Sequence, residues 1–95
     1  MRDYEVMVVF DPDVEEQSVS GILDRVTTFL TEHGGEVRNV DRWGKRKLAY
    51  EINHKSEGTY ALIEFALEPA PLVELERTLS LADEVIRHKV IKKAA

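Results

Sequence analysis

Carboxylates three residues apart, three histidines and one dense cationic run are the side chains here with chemistry to offer. Asp13 and Glu16 carry the spacing of either a catalytic acid pair or a helix cap. In a cap, the Asp13 carboxylate accepts from the backbone N–H of Glu16, whose side chain reaches back. We read the pair as that capping box. His33, His54 and His88 fall at a predicted helix end, a hairpin loop and an edge strand, and no two are spaced as metal ligands. The chain has no cysteine, which excludes disulfides, iron–sulfur clusters and thiolate metal sites. It has no glycine-rich phosphate loop, and Ser18, Ser20, Ser56 and Ser80 have no histidine partner nearby in sequence. The pairs Glu15-Glu16 and Asp83-Glu84 are read as solvated. No catalytic, cofactor or metal site is expected.

The cationic run is different. Residues 41–50, Asp-Arg-Trp-Gly-Lys-Arg-Lys-Leu-Ala-Tyr, bring together Arg42, Lys45, Arg46 and Lys47, with Trp43 inside the cluster and Tyr50 just beyond it. The chain as a whole has formal net charge −5. Residues 1–41 hold ten acids and three bases, whereas residues 42–95 hold ten bases and eight acids. After Glu84 there is no acid, but Arg87, Lys89, Lys92 and Lys93 follow. A single basic tract is usually a solvated edge. Two of them, on two strands of one small sheet, point to a polyanion.

At 95 residues the sequence predicts one domain, spanning residues 1–95, able to fold without disulfides or metals. Hydrophobic residues at 43% and charged residues at 33% are those of an ordinary globular protein. The opening Met-Arg-Asp-Tyr-Glu is too acidic, and the apolar run after it too short, for a signal peptide. No apolar stretch approaches the ~20 residues of a membrane span. The expected location is the cytosol, with no membrane partner.

Tyr4 to Phe10 reads as a strand apolar on nearly both faces. Val19, Ile22, Leu23, Val26, Phe29 and Leu30 give a helix that ends at Gly34-Gly35. Glu36 to Ile52 reads as one long strand, broken or bulged near Gly44. Residues 53–58 read as a polar hairpin loop, and Thr59 to Leu67 as a second strand apolar on both faces. Pro69-Ala70-Pro71 opens a helix striped by Leu72, Leu75, Leu79 and Ala82, and Val85 to Lys92 forms the last strand.

The order is βαββαβ. Strands one and three, apolar on both faces, belong in the middle of the sheet, and the charged strands two and four at its edges. Strands two and three are hairpin neighbours, which gives the order 2-3-1-4, with both helices on one face by the right-handed rule. This is an α+β, ferredoxin-like sandwich with a four-stranded antiparallel sheet. Its uncovered face carries apolar residues that something ought to cover. RNA-recognition motifs share this order and stack bases on rings of their third strand. Here the two stacking positions hold Thr59 and Ala61, which have no rings. Any RNA contact must use another surface, and the basic edge strand is the candidate.

Arg2-Asp3-Tyr4-Glu5-Val6, Gly44-Lys45-Arg46-Lys47-Leu48-Ala49-Tyr50-Glu51-Ile52, Glu57-Gly58-Thr59-Tyr60 and Asp83-Glu84-Val85-Ile86-Arg87-His88 together resemble the bacterial small-subunit ribosomal protein six family. The resemblance covers essentially the whole length, and its middle run is characteristic of that family. It implies a structural component of the small ribosomal subunit that binds the central domain of the rRNA together with ribosomal protein eighteen. Some relatives carry a glutamate-extended acidic tail. This sequence ends Lys92-Lys93-Ala94-Ala95, so that modification is not carried over.

The residues expected at the rRNA are Arg2, Tyr4, Arg42, Trp43, Lys45, Arg46, Lys47, Arg87, Lys89 and Lys92. Regular alternation after Gly44 puts Leu48, Tyr50 and Ile52 on one face, anchoring the strand, with Arg46 on that side and Lys45 and Lys47 on the other. A bulge at Gly44 leaves the direction of Trp43 open between partial core filling and a stacked or interface role. Tyr50 is expected to be packed. A second function class, a non-catalytic small-molecule-sensing regulatory domain, also uses βαββαβ and pairs through its sheet. It predicts a ligand pocket at a dimer interface and no RNA affinity.

Overall fold

A computed structural model of the chain describes residues 1–52 and 54–93. The elements are β1 (Arg2–Phe10), α1 (Glu16–Glu32), β2 (Glu36–Ile52), β3 (Lys55–Leu67), α2 (Leu72–Leu81) and β4 (Val85–Lys92). The strands form one antiparallel sheet in the order β2-β3-β1-β4, so the expected sandwich is the observed one. Tyr4, Val6, Val8 and Phe10 of β1 face the helices together with Ala61, Ile63, Phe65 and Leu67 of β3. Val19, Ile22, Leu23, Val26 and Leu30 of α1 and Leu75 and Leu79 of α2 close the core from above. Fully burying one such aliphatic side chain contributes about 1.5–3 kcal/mol. This layer is therefore the main source of stability. α1 ends where Gly34 takes φ +78° and the N–H of Gly35 donates to the Leu30 carbonyl at 2.7 Å.

Three local expectations need correction. The residue before α1 is Glu15, not Asp13, and its side chain makes no capping hydrogen bond. Asp13 is drawn elsewhere. Its backbone N–H donates to Asp11 Oδ1 at 2.9 Å, and its carboxylate pairs with Lys55 Nζ at 2.7 Å. The Lys55 hydrogen bond and charge hold the Asp13 carboxyl below its ordinary pKa, and the same bond raises the Lys55 ammonium. The hairpin loop is also shorter than expected, because Lys55 pairs back to Ile52 and starts β3 four residues early. Polar residues 55–58 form strand because their ladder bonds are to β2, whatever their side chains prefer. Asn53, assigned to that loop, lies outside the described residues. Leu48, finally, is half-buried and not part of the helix-side core.

Candidate nucleic-acid interface

The bulge expected near Gly44 is present, and it decides which way the cations point. Arg42 pairs with Ala61 and Gly44 with Tyr60, so Trp43 is the extra residue on β2. Gly44 takes φ +78°, a conformation that costs glycine nothing but strains other residues. Because strand side chains alternate, one inserted residue exchanges the faces of everything after it. Arg46, opposite Gly58, is thereby placed on the helix-free face, while Lys45 and Lys47 fall on the helix side of the hairpin. Trp43 lies on the helix-free face. Its indole is stacked nearly parallel to the ring of Tyr60, at 6° and 6.2 Å between centroids, and its Nε1–H donates to Asp41 Oδ2 at 3.0 Å. The ring remains 38% exposed.

The end of β2 bends over that same face. Leu48 and Ile52 line a groove of about 270 Å³ whose floor is Met7, Val9 and Tyr60. Its far side is β4, although β3 and β1 lie between β2 and β4 in the sheet. Arg87 of β4 reaches across to it: Nη1 donates to the Tyr50 hydroxyl, and the guanidinium sits 5.8 Å from the centre of that ring. Tyr50 is nonetheless 60% exposed, so the expectation of a packed ring is corrected. The Leu48, Tyr50 and Ile52 face anchors the hairpin arm over the open side of the sheet, not in the core.

The ten expected site residues divide into groups. Trp43, Arg46, Arg87 and Lys89 share the helix-free face at one end of the sheet. Lys45 and Lys47 flank them on the other side of the hairpin. Arg2 and Lys92 lie on neighbouring strands near the opposite end, about 20 Å away at 3.4 Å per residue, on the helix side. Arg42 also points to the helices, where it bonds Ser20 at 3.4 Å and pairs with Glu16. Tyr4 is a correction: it is 5% exposed and stacked on Phe65 at 5.6 Å, a core residue that cannot extend a surface. Its alternation with Val6 and Val8 already gave that position.

Ion pairing sorts the cations independently. Arg38 is held by Asp3 and Glu36, Lys55 by Asp11 and Asp13, and Lys93 by Glu64. The Lys93 hydrogen bond keeps the Glu64 carboxyl below its ordinary pKa. Among the described residues, no carboxylate lies within 4.0 Å of Arg2, Lys45, Arg46, Lys47, Arg87, Lys89 or Lys92. Two helix-surface arginines, Arg25 and Arg77, are unpaired as well. The open face is thus polarised. Glu5 and Glu64 stand opposite each other near one end, with Asp3 and Glu36 beside them and, among the described residues, only Arg38 and Lys93 to match the four, and the unpaired cations and rings lie toward the other end. Sequence reading missed Asp41 and Tyr60 as the residues that fix Trp43. The register across the bulge is the signal that pairs them.

Comparison with known proteins identifies the family. The model of the family described as Ribosomal protein S6 matches residues 3–92. The small ribosomal subunit protein bS6 of Desulforamulus reducens is 44% identical over 98% of this chain and 98% of its own. That of Streptomyces coelicolor is 47% identical over 97% of this chain and 96% of its own. The crystal structure of 30S ribosomal protein S6 from Thermotoga maritima superposes with a TM-score of 0.90, at 34% identity, covering 97% of this chain and 87% of that one. These relatives are ribosomal structural proteins, not enzymes. With its family pattern running from the first strand to the last and its fold shared by a solved relative, the chain belongs to the ribosomal protein S6 family of the small ribosomal subunit.

Proposed function

We propose that this chain, acting as one domain over residues 1–95, is a structural component of the cytoplasmic small ribosomal subunit that binds the central domain of its rRNA together with ribosomal protein eighteen. The observation that carries the reading is the cluster of unpaired cations and rings at one end of an open sheet face, in a chain whose net charge is −5. Local cations attract phosphate there while the summed field of the protein repels it. The acidic end of the face suits a basic protein, and the apolar groove gives such a partner area to bury. Arg2 and Lys92 form a second, smaller contact at the far end. Phosphate contacts by these cations set position, not sequence preference.

Salt dependence tests the RNA half of this reading. Each neutralised phosphate contributes about −0.9 to the slope of log K on log salt for duplex and about −0.7 for single strands. Replacing Lys45, Arg46 and Lys47 together with glutamine is expected to weaken binding to central-domain rRNA and to flatten that slope by about 2–3. An unchanged slope in the triple variant places the footprint elsewhere. A regulatory domain would show no RNA affinity at any salt, so the same titration separates the two function classes.

A further inference from the structure

Trp43 has a position that neither core packing nor phosphate binding explains. Its ring is not buried, it carries no charge, and the strand makes a bulge beside it. Yet it is held on two sides: Tyr60 backs one face at 6° and 6.2 Å, and Asp41 Oδ2 takes its N–H at 3.0 Å. The ring is still 38% exposed, so part of its surface is left for a ligand. A flat, apolar surface whose orientation is fixed before anything binds loses little freedom when a ligand covers it.

We propose that the outer face of Trp43 is a platform for one unpaired nucleobase of the bound RNA, an inference that rests on the rRNA-binding reading above. Charge selects this occupant. Arg46, on the same face two residues beyond Gly44 and without an acid partner, stands about 7 Å along the strand, within reach of the phosphate of a base stacked on the indole. On the other side stands Asp41, whose carboxylate repels phosphate but accepts from the N–H groups of a base edge. The backbone of the nucleotide is therefore directed toward Arg46 and its base edge toward Asp41. Stacking itself is indifferent to sequence, since every base has a π-face. A preference for bases with an amino or imino N–H on the edge follows from Asp41.

Trp43 is the only tryptophan in the chain, so its emission reports the platform directly. Central-domain rRNA is titrated into the protein with ribosomal protein eighteen present, and binding is followed in parallel by the anisotropy of a label on the RNA. The same complex made with Trp43→Phe supplies the background emission. The proposal expects the Trp43 signal to be quenched along the binding curve. It also expects Trp43→Ala to bind about 5–150-fold more weakly, the effect of one base stack, and Trp43→Phe to lose less, since it keeps a ring but not the N–H to Asp41. RNA binding with undiminished Trp43 emission overturns the platform and leaves the rRNA reading standing. So does a change of emission completed by the partner protein alone, which makes the ring a protein contact. Absence of RNA binding overturns both.

Discussion

Adding ribosomal protein eighteen is expected to tighten binding of this protein to central-domain rRNA about 5–150-fold, a coupling of ~1–3 kcal/mol. The expectation comes from two features of one surface. The acids Asp3, Glu5, Glu36 and Glu64 gather at one end of the open sheet face, and the chain as a whole is net acidic, so the protein alone meets RNA with an unfavourable field. The groove under the hairpin arm also leaves apolar area for a partner to cover. A basic partner seated there offsets the acidity that Arg38 and Lys93 leave unmatched, buries the groove and brings phosphate contacts of its own. Linkage requires the converse as well: the RNA must tighten the protein–protein contact by the same factor. Titrations of labelled central-domain rRNA with this protein, with and without the partner, measure the coupling. Equal affinity in the two series means that the acidic end and the groove serve another purpose.

Replacing Ile63 with alanine is expected to destabilise the fold by about 2–5 kcal/mol. Ile63 is fully buried, in one of the two inner strands of the sheet, and pairs with Val6 on one side and Val40 on the other. A domain of this size has only about 5–15 kcal/mol in total. The melting temperature should therefore fall by roughly 10 °C or more. Leu48→Ala is the control. Leu48 is half-buried under the hairpin arm on the open face, outside the helix-side core, and its loss should lower the melting temperature much less. Comparable drops for the two variants would mean that the arm is as integral to stability as the core.

The architecture was legible because two strands are apolar on both faces and two are charged, which leaves little choice of strand order. β2 was placed from Glu36 to Ile52 by its flanking glycines and loop, and the bulge by Gly44. What the sequence could not reveal was where that strand goes after the bulge. The apolar alternation of Leu48, Tyr50 and Ile52 reads as a core face, yet in a strand that outreaches its neighbours the same alternation packs against the open side of the sheet. Periodicity specifies that residues share a face, not which layer the face meets. The capping box failed for a related reason. Asp13 and Glu16 have the required spacing, but Lys55, 42 residues away, competes for the Asp13 carboxylate and is invisible to local pattern. For the site, composition marked the cations correctly as a group. Only ion pairing within the fold separates Arg42, tied to α1, from Arg46, Arg87 and Lys89, which are not.

RNA and partner are expected to bind on the open face of the sheet. Backbone amide shifts of the isotope-labelled protein, recorded as the complex with central-domain rRNA and ribosomal protein eighteen forms, test this directly. The largest changes are expected at residues 43–46, at Tyr60, and at Arg87 and Lys89 across the sheet. α1 and α2 should change little along their outer faces. Changes concentrated on the two helices, with Trp43, Tyr60 and Arg87 unmoved, would contradict it.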